Sequence, residues 1–209
     1  MVRQRVRIRF CKQGDLRLIG HRDLMRCFER MARRAGLPLA MSQGFHPKPR
    51  MTFPLALAVG IEGTNEVMEL ELTESLSAEE VTGRLRSQTP PGLTIRSVEV
   101  LPQGGKKAEV RSVCYQMPIP SPCRDGLPEK IDQLLARASH PVQRPNRTTP
   151  FDLRPLLQEL ALREGVLSMR LRTGRQQSAR PSEVLEALGL AAVELQGAHL
   201  RRTAVEIDA

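Results

Sequence analysis

The stretch Leu93-Thr94-Ile95-Arg96-Ser97-Val98-Glu99-Val100 aligns without gaps on Leu200-Arg201-Arg202-Thr203-Ala204-Val205-Glu206-Ile207. Leu93 matches Leu200, Val98 matches Val205, Glu99 matches Glu206, and Val100 meets Ile207. Both stretches read as strands, each follows a short helical pattern, and each ends one half of the chain. A repeat in this position predicts that the two halves share one architecture.

The first half supplies the rest of that architecture. Residues 4–10 alternate, with Val6, Ile8 and Phe10 toward a core and Arg5, Arg7 and Arg9 on the other side, a period-two strand. Over 21–35, Leu24, Met25, Phe28, Met31, Ala32 and Ala35 make one apolar helical stripe. Asp23 suits the first turn, and Gly36 with Pro38 stops the helix. Residues 37–41 read as a short strand. Residues 66–73 alternate again, with Glu69 and Glu71 outward and expected to pair with Arg7 and Arg9. Ser77 and Glu80 form a capping box for a helix over 78–88. The order is β-α-β-β-α-β.

The second half repeats it. Residues 110–119 read as a strand, 126–138 as a helix, and His140 to Pro150 as a connection. Leu153, Leu156, Leu157, Leu160 and Ala161 fit a helix period, yet 156–163 and 166–172 also make a hairpin turning at Glu164-Gly165. The hairpin is preferred because it completes a second βαββαβ set. Pro181 opens a last helix that stops at Gly189. The expected fold is α+β, with two tandem ferredoxin-like units and antiparallel sheets. They cover 1–103 and 108–209, joined by the polar linker Pro102 to Lys107.

The net charge of +9 is unevenly spread. Residues 1–50 hold 13 Lys/Arg against 3 Asp/Glu, and the rest hold 19 against 20. Such asymmetry favours a polyanion partner, most simply RNA. No apolar run reaches the length of a membrane span and no signal-peptide pattern opens the chain, so a cytoplasmic protein without a membrane partner is expected. Cys11, Cys27, Cys114 and Cys123 show no zinc spacing, so neither a metal site nor a cofactor is expected.

Inside the basic region lies Ser42-Gln43-Gly44-Phe45-His46-Pro47-Lys48-Pro49-Arg50-Met51. Two prolines and a glycine exclude regular structure and predict a stiff, basic loop. Arg22, Arg26 and Arg30, spaced by four and followed by Arg33 and Arg34, add a cationic helix face. The predicted nucleic-acid site is His21, Arg22, Arg26, Arg30, Gln43, Gly44, Phe45, His46, Lys48 and Arg50. The cations would hold phosphates, and Gln43, Phe45 and His46 would touch base or sugar. No hydrolase, P-loop, zincin or dinucleotide-binding motif is present. His46 is the weak candidate for general acid/base catalysis.

The residues from Lys12 through His21-Arg22-Asp23-Leu24-Met25-Arg26, Arg33-Arg34-Ala35-Gly36-Leu37-Pro38 and the Ser42–Met51 loop resemble the radical SAM-linked domain family, a bacterial family of unknown function. Asp152-Leu153-Arg154-Pro155 and Arg180-Pro181-Ser182-Glu183-Val184-Leu185 are similar to its closing pattern. One departure stands out: Gly20 replaces the family's frequent Ser before the first helix. Position 46 is usually Asn or His there. The use of Asn argues against a histidine base. The resemblance implies an accessory protein beside a radical SAM enzyme, and the family's gene neighbourhoods imply RNA. The chain has no CxxxCxxC to hold an iron–sulfur cluster itself. The expected function is RNA binding and substrate recognition for that enzyme, in RNA modification or processing. Two alternatives stand: an endoribonuclease or RNA-modifying enzyme using His46, and a protein-interaction module docking on the radical SAM partner.

Overall fold

The computed structural model of the protein describes residues 2–145, 148–174, 177–193 and 197–208. It divides into two compact units, Met1–Glu109 with Asp208–Ala209, and Val110–Ile207. The fold is mixed α+β with four helices among the described residues, and no helix among them is long and apolar enough to cross a membrane.

The first unit runs β1 (Gln4–Lys12), α1 (His21–Arg34), β2 (Met51–Thr52), β3 (Glu62–Leu72), α2 (Ala78–Arg86), β4 (Leu93–Leu101). Its strands lie in the order β4-β1-β3, with β2 also paired to β3, and all three pairings are antiparallel. The apolar positions of β1 and β3 are sealed by the helices: Val6, Ile8, Met68 and Leu72 are 0% exposed and share a core with Leu24, Phe28 and Met31 of α1 and Val81 and Leu85 of α2. Burying each such side chain stabilises by about 2–3 kcal/mol. The Ser77–Glu80 capping box forms as the sequence predicts. Gly20 gives α1 no side-chain cap.

The opposite sheet face meets its expectation in part, since Arg7 pairs with Glu69 but Arg9 does not face Glu71. Glu69 is 2% exposed, not outward in solvent. Arg7 donates to it through Nε and a terminal nitrogen, at 3.2 and 3.0 Å, and also pairs with Glu99 at 3.6 Å. The register sets Arg5, not Arg9, opposite Glu71, and Glu71 takes Arg50 instead, at 3.3 Å. The chain after β4 crosses this face. Arg5 donates to the carbonyls of Gly105 and Lys106, and the Ala108 amide donates to Glu69 at 3.3 Å. The stretch read as a linker is thus tied down at its end.

Residues 37–41 form no strand. Leu39 and Met41 make single bridges, to Leu72 and Pro49, and the short strand is β2, ten residues later. Prolines at 38, 47 and 49 remove ladder donors on both sides.

The second unit runs β5 (Glu109–Pro118), α3 (Leu127–Ala136), β6 (Pro141–Val142), β7 (Phe151–Asp152), β8 (Leu157–Arg163), β9 (Val166–Arg172), α4 (Pro181–Ala187), β10 (Arg201–Asp208). Its strand order is β10-β5-β9-β8. The contested stretch is a hairpin: β8 pairs antiparallel with β9, and Glu164 and Gly165 turn with φ of 51° and 76°, the left-handed pair that a two-residue hairpin loop requires. Within the expected connection from His140 to Pro150, Asn146 and Arg147 lie outside the described residues.

Candidate nucleic-acid interface

The predicted loop is the tip of a hairpin. The Arg50 amide donates to the Ala40 carbonyl at 2.8 Å, and the Ser42 amide to the Lys48 carbonyl at 2.8 Å. The Ser42 hydroxyl accepts from the Lys48 amide at 3.0 Å, closing the root. Beyond it Gln43, Gly44, Phe45, His46 and Pro47 are all exposed. Phe45 is fully exposed, although Phe is among the residues most often buried. Gly44 takes φ 128°, where a side chain would strain the backbone. The Lys48 side chain has no acidic partner among the described residues.

Helix α1 carries its arginines on the exposed side, but not all are free. Arg26 bonds Asp23 at 3.2 Å and Arg33 bonds Glu29 at 3.1 Å. Arg22, Arg30 and Arg34 are exposed and have no acidic partner among the described residues. Exposed helix pairs are worth only about 0.3–0.5 kcal/mol, so Arg26 and Arg33 remain available to a stronger anion.

His21 does not join this exposed set. Its ring packs edge-on against Phe53, centroids 5.3 Å apart, and its buried Nδ1 has no hydrogen-bond partner among the described residues. Lys12, 0% exposed, lies close by, with Nζ donating to the Ile19 carbonyl at 2.8 Å. Burial, and then the Lys12 charge, hold the His21 pKa below its ordinary value, so the ring is neutral at pH 7. Phe53 also meets Phe28 at 5.6 Å and Phe10 at 6.2 Å. The outgoing arm of the hairpin and the start of α1 therefore share one aromatic seat.

Arg50 leaves the tip residues. Ion-paired to Glu71, it lines a cavity of about 610 Å³ together with Arg3, Arg5 and residues 101–105.

The second unit holds a polar cluster that the sequence reading did not single out. Glu206 on β10 accepts from Ser112 on β5 and Arg170 on β9, and Arg170 also bonds Glu159 at 3.1 Å. The Ser112 bond and then Arg170 hold Glu206 below the usual carboxylate range. Burial and then Glu206 push the neighbouring Cys114 thiol up, which favours the thiol over the nucleophilic thiolate. The repeat foreshadows the cluster, since Glu99 and Glu206 both pair with an arginine of their own sheet.

The closing motifs are structural. Asp152 accepts from the amides of His140 at 2.7 Å and Arg154 at 3.0 Å, and Arg154 reaches the Leu135 carbonyl at 2.8 Å. Glu183 holds Arg144 through two bonds of 2.6 and 2.9 Å, while that guanidinium lies 3.9 Å from the centre of the Phe151 ring. These residues stitch the connection to α3 and α4; the Ser42–Met51 motif instead projects into solvent.

Residues 5–181 match the model of DUF2344, described as an uncharacterized protein conserved in bacteria. No curated protein matches the chain. Among solved structures, the crystal structure of an unknown protein from Galdieria sulphuraria is 13% identical over 99% of both chains, with a TM-score of 0.28, too low to bear on the fold.

Proposed function

The chain belongs to the DUF2344 family of uncharacterized proteins conserved in bacteria, and we propose that it is an RNA-binding accessory protein that recognises a substrate RNA for a partner radical SAM enzyme. The observation that carries this reading is the hairpin tip, where a fully exposed Phe45 stands beside Gln43, His46 and Lys48, whose side chain has no acidic partner among the described residues. An exposed aromatic next to cations suits a base stacked over a phosphate track. Arg22, Arg30 and Arg34, exposed and without acidic partners among the described residues, would extend the track, and Arg26 can join by exchanging Asp23 for phosphate. The stiff hairpin root lowers the ordering cost of binding.

The fold on which this rests is two tandem ferredoxin-like units. The βαββαβ order of each unit supports it, as does the matching 4-1-3-2 order of the strands once β6 and β7 are set aside.

The test is binding of single-stranded RNA across a salt series. Affinity that falls steeply with salt and is lost in the Lys48→Ala/Phe45→Ala double variant supports the reading; unchanged binding removes the hairpin from it. Capture of a radical SAM protein from nuclease-treated lysate tests the partner. Metal-free RNA cleavage abolished by His46→Ala would replace an accessory role with an endoribonuclease.

A further inference from the structure

Outside the hairpin tip and α1, a charged cavity lies where the start of β1, the end of β3 and the chain after β4 meet. Its volume is about 610 Å³, and it is lined by Arg3, Arg5 and Arg50 with Glu71 as its one carboxylate. Three guanidiniums line it against one carboxylate, with Glu69 behind Arg5, so its wall carries an excess of positive charge.

Each arginine is held differently. Arg50 is fixed by Glu71 at 3.3 Å. Arg5 is fixed by the Gly105 and Lys106 carbonyls, and its buried Nε has no hydrogen-bond partner among the described residues, with Glu69 at 3.7 Å. The Arg3 side chain is exposed and has no acidic partner among the described residues. Two guanidiniums are therefore oriented in advance while a third is free to close on a ligand.

Gly105 keeps this wall open. A Cβ there would sit 3.1 Å from the Pro102 carbonyl and 3.3 Å from an Arg5 terminal nitrogen, tighter than side chains normally pack. A side chain would push the segment off Arg5 and disturb the guanidinium it holds.

We propose that this cavity binds a phosphate monoester. The dianion matches the excess charge, and planar guanidinium forks match phosphate oxygens two at a time. The volume exceeds that of a bare phosphate and leaves room for an attached sugar, against the apolar surface of Val2, Leu101 and Pro102. The inference goes beyond RNA binding by the hairpin, sharing only Arg50 with that set. The phosphate has two possible sources, the 5′ end of an RNA and a free nucleotide.

The experiment compares 5′-phosphorylated and 5′-hydroxyl forms of one oligoribonucleotide by fluorescence anisotropy, with adenosine 5′-monophosphate and adenosine titrated separately by calorimetry. The expected result is about tenfold tighter binding of the phosphorylated end. Arg3→Ala abolishes that preference and leaves the hydroxyl form unaffected, while Glu71→Gln strengthens the preference. Saturable binding of the monophosphate but not adenosine assigns the site to free nucleotides. A 5′-phosphate preference without monophosphate binding assigns it to RNA ends. Equal affinity of the two oligonucleotides together with no monophosphate binding overturns the proposal. If neither oligonucleotide binds but the monophosphate does, the RNA reading falls and the phosphate site stands.

Discussion

The imidazole of His21 meets the ring of Phe53 at 90°, centroids 5.3 Å apart. The first residue of α1 is thereby locked to the segment that leaves the hairpin. Helix and hairpin, the two basic features of the first unit, are seated through one aromatic contact.

Phe53→Ala should lower stability by about 2–3 kcal/mol, because it opens a cavity beside Phe10 and Phe28 and removes an edge-on contact. Urea unfolding followed by circular dichroism measures the loss. Phe53→Leu should recover more than half of it.

The lowered His21 pKa makes stability depend on pH. Below the unfolded value, about 6.5, the unfolded chain binds a proton that the folded chain still excludes. Stability therefore falls as pH drops from about 6.5 toward the lower folded pKa. Urea midpoints between pH 5 and 7.5 should show this slope in the wild type and a flatter one in His21→Asn.

Glu69→Leu should cost about 3 kcal/mol, since it takes from the buried Arg7 its buried carboxylate and leaves only the exposed Glu99 at 3.6 Å. Arg7→Met in the same chain should restore most of the loss. Thermal unfolding of both singles and the double gives the coupling.

Lys48→Ala and Phe45→Ala should weaken RNA binding in different ways. Losing the Lys48 cation reduces the slope of log affinity against log salt by about 0.7, one phosphate contact on a single strand. Losing Phe45 costs about 1–3 kcal/mol with the slope unchanged, as stacking carries no charge. Anisotropy titrations at four salt concentrations separate the two.

Periodicity told which residues of β1 and β3 face the helices, because Val6 and Ile8, and Met68, Leu70 and Leu72, recur at every second position. It could not tell that the polar face is also covered at Glu69. That cover comes from Gly105, Lys106 and Ala108, about 100 residues along the chain from Arg5, and period-two patterning carries no information about such returns. The β8–β9 hairpin was legible through Glu164-Gly165, a turn with a backbone reason. The candidate site could be read only as composition, and Phe45, Lys48 and the α1 arginines do stand exposed. Its neutralised members were also open to reading, since Asp23 with Arg26 and Glu29 with Arg33 have helical pair spacing. The turning of Arg50 toward Glu71 was not, because it depends on the pairing of β2 with β3. Nor was the Ser112–Arg170–Glu206 cluster, whose members come from three separate strands.

The bonds from Arg5 and Glu69 to residues 105–108 also govern how the first unit bears mechanical load. β4 is flanked by β1 alone, so tension reaching it directly would peel it away one hydrogen bond at a time. A pull arriving along the chain at Ala108 meets the anchors on β1 and β3 first. The load then reaches β1 and β3 through these bonds before it reaches the edge strand.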